Sequence, residues 1–141
     1  MDKLKDMLAG DDVRGVVCTL SGEIIKFHNP GVKDLFELVE TRPEALEGAL
    51  VADRVIGRGA ALLLALGHVG RVYVQIISEP AVLVLQDYDI KVEYDKLVPN
   101  IINRDGIGIC PVENLTMAIT QPEKAFTAIK EFLINNNIIK S

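Results

Sequence analysis

RVYVQIISEPAVLVLQDYDIKVEY, residues 71–94, reads as a strand, a helix and a second strand in one passage. Residues 71–77 are dominated by Val, Ile and Tyr, the residues that suit a pleated surface. Ser78 is placed to cap the helix that follows, over 79–88, with Pro80 in its first turn where a missing N–H does no harm. Residues 90–94 form the next strand. Two strands joined by a helix of this length imply a parallel crossover, and hence a sheet covered by helices.

Working outward, residues 13–20 and 23–28 flank Ser21-Gly22, a two-residue turn between β-rich runs that predicts a hairpin. Asn29-Pro30-Gly31 breaks the second strand. Val32, Leu35, Phe36 and Val39 then recur at helical spacing to about Thr41. Gly48 to Ala52 is short enough for a strand, and Asp53 is a good N-cap for a helix from Arg54 to Leu66. That helix is apolar nearly all round, which places it in the interior. Pro111 opens another helix, and Ala125, Phe126, Ile129, Phe132 and Leu133 make one apolar stripe on the last. Residues 2–9 form a short amphipathic helix ending at Gly10. The expected architecture is a three-layer α/β/α domain over residues 1–141, its mixed sheet opened by an antiparallel hairpin.

Composition narrows the function classes. The chain has 141 residues, 49% of them hydrophobic, with no Trp and a net charge of −5. An acidic balance argues against general nucleic-acid binding, which needs a basic face, while leaving room for a nucleotide held by a local cluster. Two cysteines, Cys18 and Cys110, are too few for a disulfide framework and fit a reduced cytoplasm. The charged N-terminus does not read as a signal peptide, and the longest apolar run, Ala60 to Leu66, is too short to span a bilayer. Gly106-Ile107-Gly108 lacks the further glycine and the strand-to-helix context of a dinucleotide site, so no cofactor is expected.

The stretch richest in chemistry is Asn103-Arg104-Asp105-Gly106-Ile107-Gly108-Ile109-Cys110-Pro111-Val112-Glu113-Asn114. Pro111 makes Cys110 the capping residue of a helix, where the positive helix end stabilises a thiolate or an anion. Cys110 is thus a candidate nucleophile, and Glu113, one turn in, a candidate acid/base partner; the alternative for the cysteine is a small capping residue. Arg58, on an otherwise apolar helix, is either an anion clamp or the ion-pair partner of Asp53. Gly57 and Gly59 beside it mark close helix packing or close approach of a ligand. Glu79 lies at the end of a central strand, where ligands of open α/β sheets bind. Asn103 and Arg104 can recognise a phosphate or carboxylate. His28 and His68 are weaker candidates, at a strand end and a helix C-terminus.

The order of elements is similar to the cytidine-deaminase-like fold, and residues 71–94 carry the likeness. In zinc deaminases the strand runs into a Glu-Pro-Cys-x-x-Cys helix. Here the frame is Glu79-Pro80-Ala81-Val82-Leu83-Val84, so Ala81 and Val84 stand where the resemblance puts two zinc cysteines. Ile56-Gly57-Arg58 stands where it puts the third ligand and the catalytic glutamate. No metal is therefore expected, since aliphatic side chains cannot ligate zinc. Asp53 to Ala61, Ser78-Glu79, Asn103-Arg104 and Cys110 to Glu113 resemble more closely an uncharacterised family of small prokaryotic proteins with this fold and no zinc motif. That resemblance brings no activity with it; the deaminase-like fold implies a homodimer. The functional expectation is a small anionic or nucleotide-like ligand bound by Asp53, Arg58, Glu79, Asn103 and Arg104, with Cys110-dependent chemistry. A non-catalytic regulatory module and a structural homo-oligomer are the alternatives.

Overall fold

Gly22 adopts a left-handed φ of 92°, and its N–H donates to Thr19 O at 2.9 Å; glycine reaches this conformation without the Cβ clash other residues meet. The hairpin it closes opens the sheet. The computed structural model describes residues 1–10, 12–102 and 108–140. In chain order the elements are α1 (Asp2–Leu8), β1 (Gly15–Cys18), β2 (Ile24–Phe27), α2 (Lys33–Thr41), β3 (Leu50–Ile56), α3 (Arg58–Leu66), β4 (Arg71–Ser78), α4 (Glu79–Asp87), β5 (Lys91–Val98), α5 (Pro111–Thr116) and α6 (Pro122–Asn135).

The strands form one mixed sheet in the order β2-β1-β3-β4-β5. β1 pairs antiparallel with both β2 and β3, whereas β3–β4 and β4–β5 are parallel. The two crossovers advance the sheet in one direction, so their right-handedness puts α3 and α4 on the same face. Alternation along the strands separates two cores. Val17 and Val51 join the large one, with α2, α3, α4 and α6. Val16 and Ala52 join a smaller one, with Leu4 and Leu8 of α1 and Tyr73 of β4. The layers are therefore unequal, a single short helix on one face against a thick helical layer on the other.

α3 is the pivot of the thick layer. Gly59 to Ala65 are all buried, and Leu62 and Leu63 are wholly shielded from solvent, each such burial stabilising the fold by about 1.5–3 kcal/mol. Beside it, Phe36 of α2 stacks on Phe126 of α6 with ring centroids 4.9 Å apart. On the thin side, the Arg54 guanidinium donates to Leu8 O, Gly10 O and Val13 O at 2.6–2.8 Å. It ties the C-terminal end of α1 to the sheet. Lys5 lies over the Tyr73 ring and pairs with Glu93 of β5.

Three boundaries differ from the sequence reading. β3 continues through Asp53 to Ile56, and α3 starts only at Arg58 with Gly57 as its N-cap. Asp53 is therefore a strand residue, opposite Gly15 on β1 and Val74 on β4. Pairing on both edges holds this segment extended and overrides the local capping signal. β5 likewise runs on to Val98, because its parallel ladder with β4 reaches Ser78. α5, which the sequence reading runs from Pro111 to about Ile119, ends at Thr116.

Candidate functional site

At the C-terminal end of β3 lies a cavity of about 500 Å³. Ligands of open α/β sheets commonly sit at such strand ends, where the chain connections diverge. The sheet register supplies its floor: Phe27, Gly15 and Asp53 stand in one row across β2, β1 and β3. A Cβ on Gly15 would lie 3.1 Å from the Phe27 ring and 3.4 Å from the Asp53 carboxyl carbon. Glycine there leaves room for both side chains above the strand. The walls come from the first turns of α2 and α3, from Ile101 and Cys110–Val112, and from Phe132 and Leu133 on α6.

Asp53 is the unusual group in this mostly apolar space. Its Oδ1 accepts the Arg54 N–H at 2.7 Å. Burial pushes its pKa up to about 7, against the pull of the Arg54 and Val55 N–H groups and the Arg14 and Arg54 charges. An unfolded chain would titrate this carboxyl near 4, so folding loses stability as pH rises from about 4 to about 7. Three pH units would correspond to about 4 kcal/mol for full burial, and the half-buried position and solvent screening bring this to about 1–2 kcal/mol. Asp53→Asn is expected to match the wild type in urea unfolding at pH 4 and to exceed it by that margin at pH 8.

Glu113, only 1% exposed, occupies a different place in the same wall. Its Oε1 accepts the Arg58 N–H at 2.9 Å and the Ser78 hydroxyl, and its Oε2 accepts the Ile101 N–H. One carboxylate thus caps α3, which has no local side-chain cap. It also holds the N-cap residue of α4, since Ser78 Oγ in turn accepts the Ala81 N–H at 3.3 Å. The N-termini of α3 and α4 converge on it. Gly57 permits this: a Cβ there would sit 3.2 Å from Glu113 Oε1 and 3.1 Å from Ile101 Cγ1.

The structure gathers some of the sequence candidates and separates others. Asp53, Cys110 and Glu113 line the one cavity. Cys110 is the N-cap residue of α5, half-buried, with no side-chain capping bond. Arg58 turns away: its Nε donates to Thr116 O at 2.9 Å and its Nη2 to Ile119 O at 2.7 Å, closing the end of α5. No ion pair joins it to Asp53 among the described residues. Glu79 is exposed in the first turn of α4 and outside the cavity lining. Asn103 and Arg104 lie outside the described residues. His28 and His68 are both exposed and do not line this cavity. Among the described residues no group of three or more His, Cys, Asp or Glu is placed to hold a metal ion, and no helix is long and apolar enough to cross a membrane.

Sequence reasoning missed Arg14 and Lys33, which also line the cavity. Each is a charged residue at the edge of an element, a pattern that ordinarily marks solvated surface. Only the pairing of β1 beside β3 brings Arg14 next to Asp53.

Residues 3–133 match the family described as TM1506, a domain of unknown function (DUF1893). The chain belongs to the DUF1893 family. The crystal structure of a DUF1893 family protein (TM1506) from Thermotoga maritima, at 2.70 Å resolution, is similar over 92% of this chain and 87% of that one, with 26% identity and a TM-score of 0.83. No curated protein matches the chain. For this DUF1893 domain the family supplies no activity, and the functional reading rests on the cavity.

Proposed function

We propose that this DUF1893 chain is a cytidine-deaminase-like domain that works without zinc and binds a small anionic or nucleotide-like molecule in the cavity at the end of β3. The observation that carries the reading is Asp53. A carboxyl whose burial lowers stability, at the floor of a cavity large enough for a metabolite, is better explained by a ligand than by folding. The strand order and the convergence of the α3 and α4 N-termini support the deaminase-like relationship. The donor set does not fit a zinc ion: Ala81 and Val84 are aliphatic, and the Glu113 carboxylate is engaged between the two helix ends. No step is assigned to a metal.

Cys110 is the candidate nucleophile, on the cavity wall. A second reading, a non-catalytic binding module, is favoured by one specific feature. Both oxygens of Glu113 already accept hydrogen bonds, so this carboxylate acts most directly as a positioning group. Alkylation by iodoacetamide separates the cavity from the rest of the molecule. A bound nucleotide is expected to slow modification of Cys110 several-fold and leave Cys18 unchanged, since Cys18 lies on β1 with its thiol turned to Thr19 O. Equal rates with and without nucleotides, carboxylates and sugar phosphates at millimolar concentration would count against the cavity as the site. Cys110→Ser then distinguishes the two readings: a binding module keeps its affinity, whereas an enzyme loses turnover.

A further inference from the structure

Among the described residues, five of the fifteen cations of this chain are held by partners. Lys5, Arg42 and Lys130 pair with carboxylates, and the guanidinium groups of Arg54 and Arg58 are bonded to main-chain carbonyls. Arg14 and Lys33 have no ion-pair partner among the described residues, and both line the cavity. Two helix N-termini lie beside them. Val32 and Lys33 begin α2, and Gly57, Gly59 and Ala60 begin α3; both helices are nine residues long, and all five residues line the cavity. The end of α2, which has no side-chain cap, carries a partial positive charge that favours a bound anion, whereas at α3 the Glu113 carboxylate already offsets it. In an acidic protein, one concave apolar site thus gathers two unpaired cations and one uncapped helix end.

We infer that the cavity takes a small organic anion, its charged group held among Arg14, Lys33 and the first turn of α2, and that Asp53 takes up a proton from solvent as the anion binds. This rests on the cavity being the ligand site. The coupling follows from geometry: a second negative charge in the same low-dielectric space repels the Asp53 carboxylate and favours its neutral form. The neutral carboxyl can donate a hydrogen bond to the ligand, which an ionised one cannot. The groups around Asp53 do not undo this. Arg14 and Lys33 are shared with the ligand, the Arg54 guanidinium is held by the Leu8, Gly10 and Val13 carbonyls, Glu113 is fixed by three donors, and Cys110 lines the same cavity. Burial pushes the Asp53 pKa up to about 7, so the uptake falls in an accessible pH range.

The test is calorimetric titration of the full chain with adenosine 5′-monophosphate, adenosine and benzoate. Between pH 7.5 and 8.5 the phosphate is already fully ionised, its second pKa being about 6. The monophosphate is expected to bind at least about tenfold more tightly than adenosine, and Arg14→Ala or Lys33→Ala to remove most of that difference while leaving adenosine unchanged. Its affinity is expected to fall about tenfold over that pH unit, with heats that depend on buffer ionisation, and Asp53→Asn to abolish both effects. Arg14 is exposed, so its removal leaves folding intact. Equal binding of the monophosphate and adenosine, or a pH dependence that survives in Asp53→Asn, would overturn the inference and leave the cavity reading standing. Failure of all three probes to bind at any pH would remove both.

Discussion

Glu113→Ala is expected to lower the free energy of unfolding by about 3–5 kcal/mol, the largest loss from any single substitution considered for this chain. The carboxylate satisfies three donors, the Arg58 and Ile101 N–H groups and the Ser78 hydroxyl. A buried donor left without a partner costs about 1–3 kcal/mol, and three of them sum to more than the expected loss because Ser78 can turn and water can enter. Domains of this kind have about 5–15 kcal/mol in total, so the variant should be close to unfolding at room temperature. Glu113→Gln keeps one acceptor and turns an amide N–H toward a donor, so its loss should be intermediate. Urea unfolding read through its midpoint and slope measures both. Glu79→Ala, a change on the exposed surface at the neighbouring helix end, is the control and should stay within about 0.5 kcal/mol. A loss below about 1 kcal/mol for Glu113→Ala would mean that the three contacts do not act together as described.

Gly59→Ala should destabilise by about 2–3 kcal/mol, although alanine is the better helix former by about 1 kcal/mol. A Cβ at this position would lie 2.5 Å from Cγ1 of Val112 and 3.4 Å from Cδ1 of Ile129. Valine has little rotamer freedom to escape, so α5 must shift as a unit. The first turn of α5 carries Glu113, and displacing it strains the contacts just described. The double variant Gly59→Ala with Val112→Ala should recover at least half of the loss, a coupling that a double-mutant cycle measures directly. If Gly59→Ala instead stabilises the protein, α5 is looser on α3 than the contact distances imply.

These two positions also show where the sequence could be read and where it could not. The hairpin, the β4-α4-β5 crossover, the stripe on α6 and the capping role of Ser78 follow from local chemistry, and each signal lies within a few residues of its effect, although the hairpin turn runs from Thr19 to Gly22 rather than over Ser21-Gly22 alone. The start of α3 has no such signal. Its cap comes from Glu113, 55 residues along the chain, so Asp53 was the nearest residue of the right chemistry and took the assignment. The sequence reading ends β5 at Tyr94 because Pro99 favours a turn or short helix after Asp95; Asp95 and Lys96 are exposed residues on an edge strand, held by parallel pairing to β4. The glycines around Arg58 did mark close approach, but the neighbours are Glu113 and Val112. Arg58 read as an anion clamp because a lone charge on an apolar helix needs a partner. Its partners are main-chain carbonyls, which leave no trace in side-chain patterns. Cys110 and Asp53 were legible as chemistry-bearing residues, while their shared cavity depends on the sheet register.

The most direct test of the central claim, that the cavity at the end of β3 receives a small anion, is an amide proton–nitrogen NMR titration of the full chain with adenosine 5′-monophosphate at pH 7. The expected result is a set of shifts confined to Arg14–Gly15, Phe27 to Lys33, Asp53 to Ala60 and Cys110 to Glu113, with α1 and the outer end of α4 unmoved. Shifts centred elsewhere, or none at millimolar nucleotide, would contradict it.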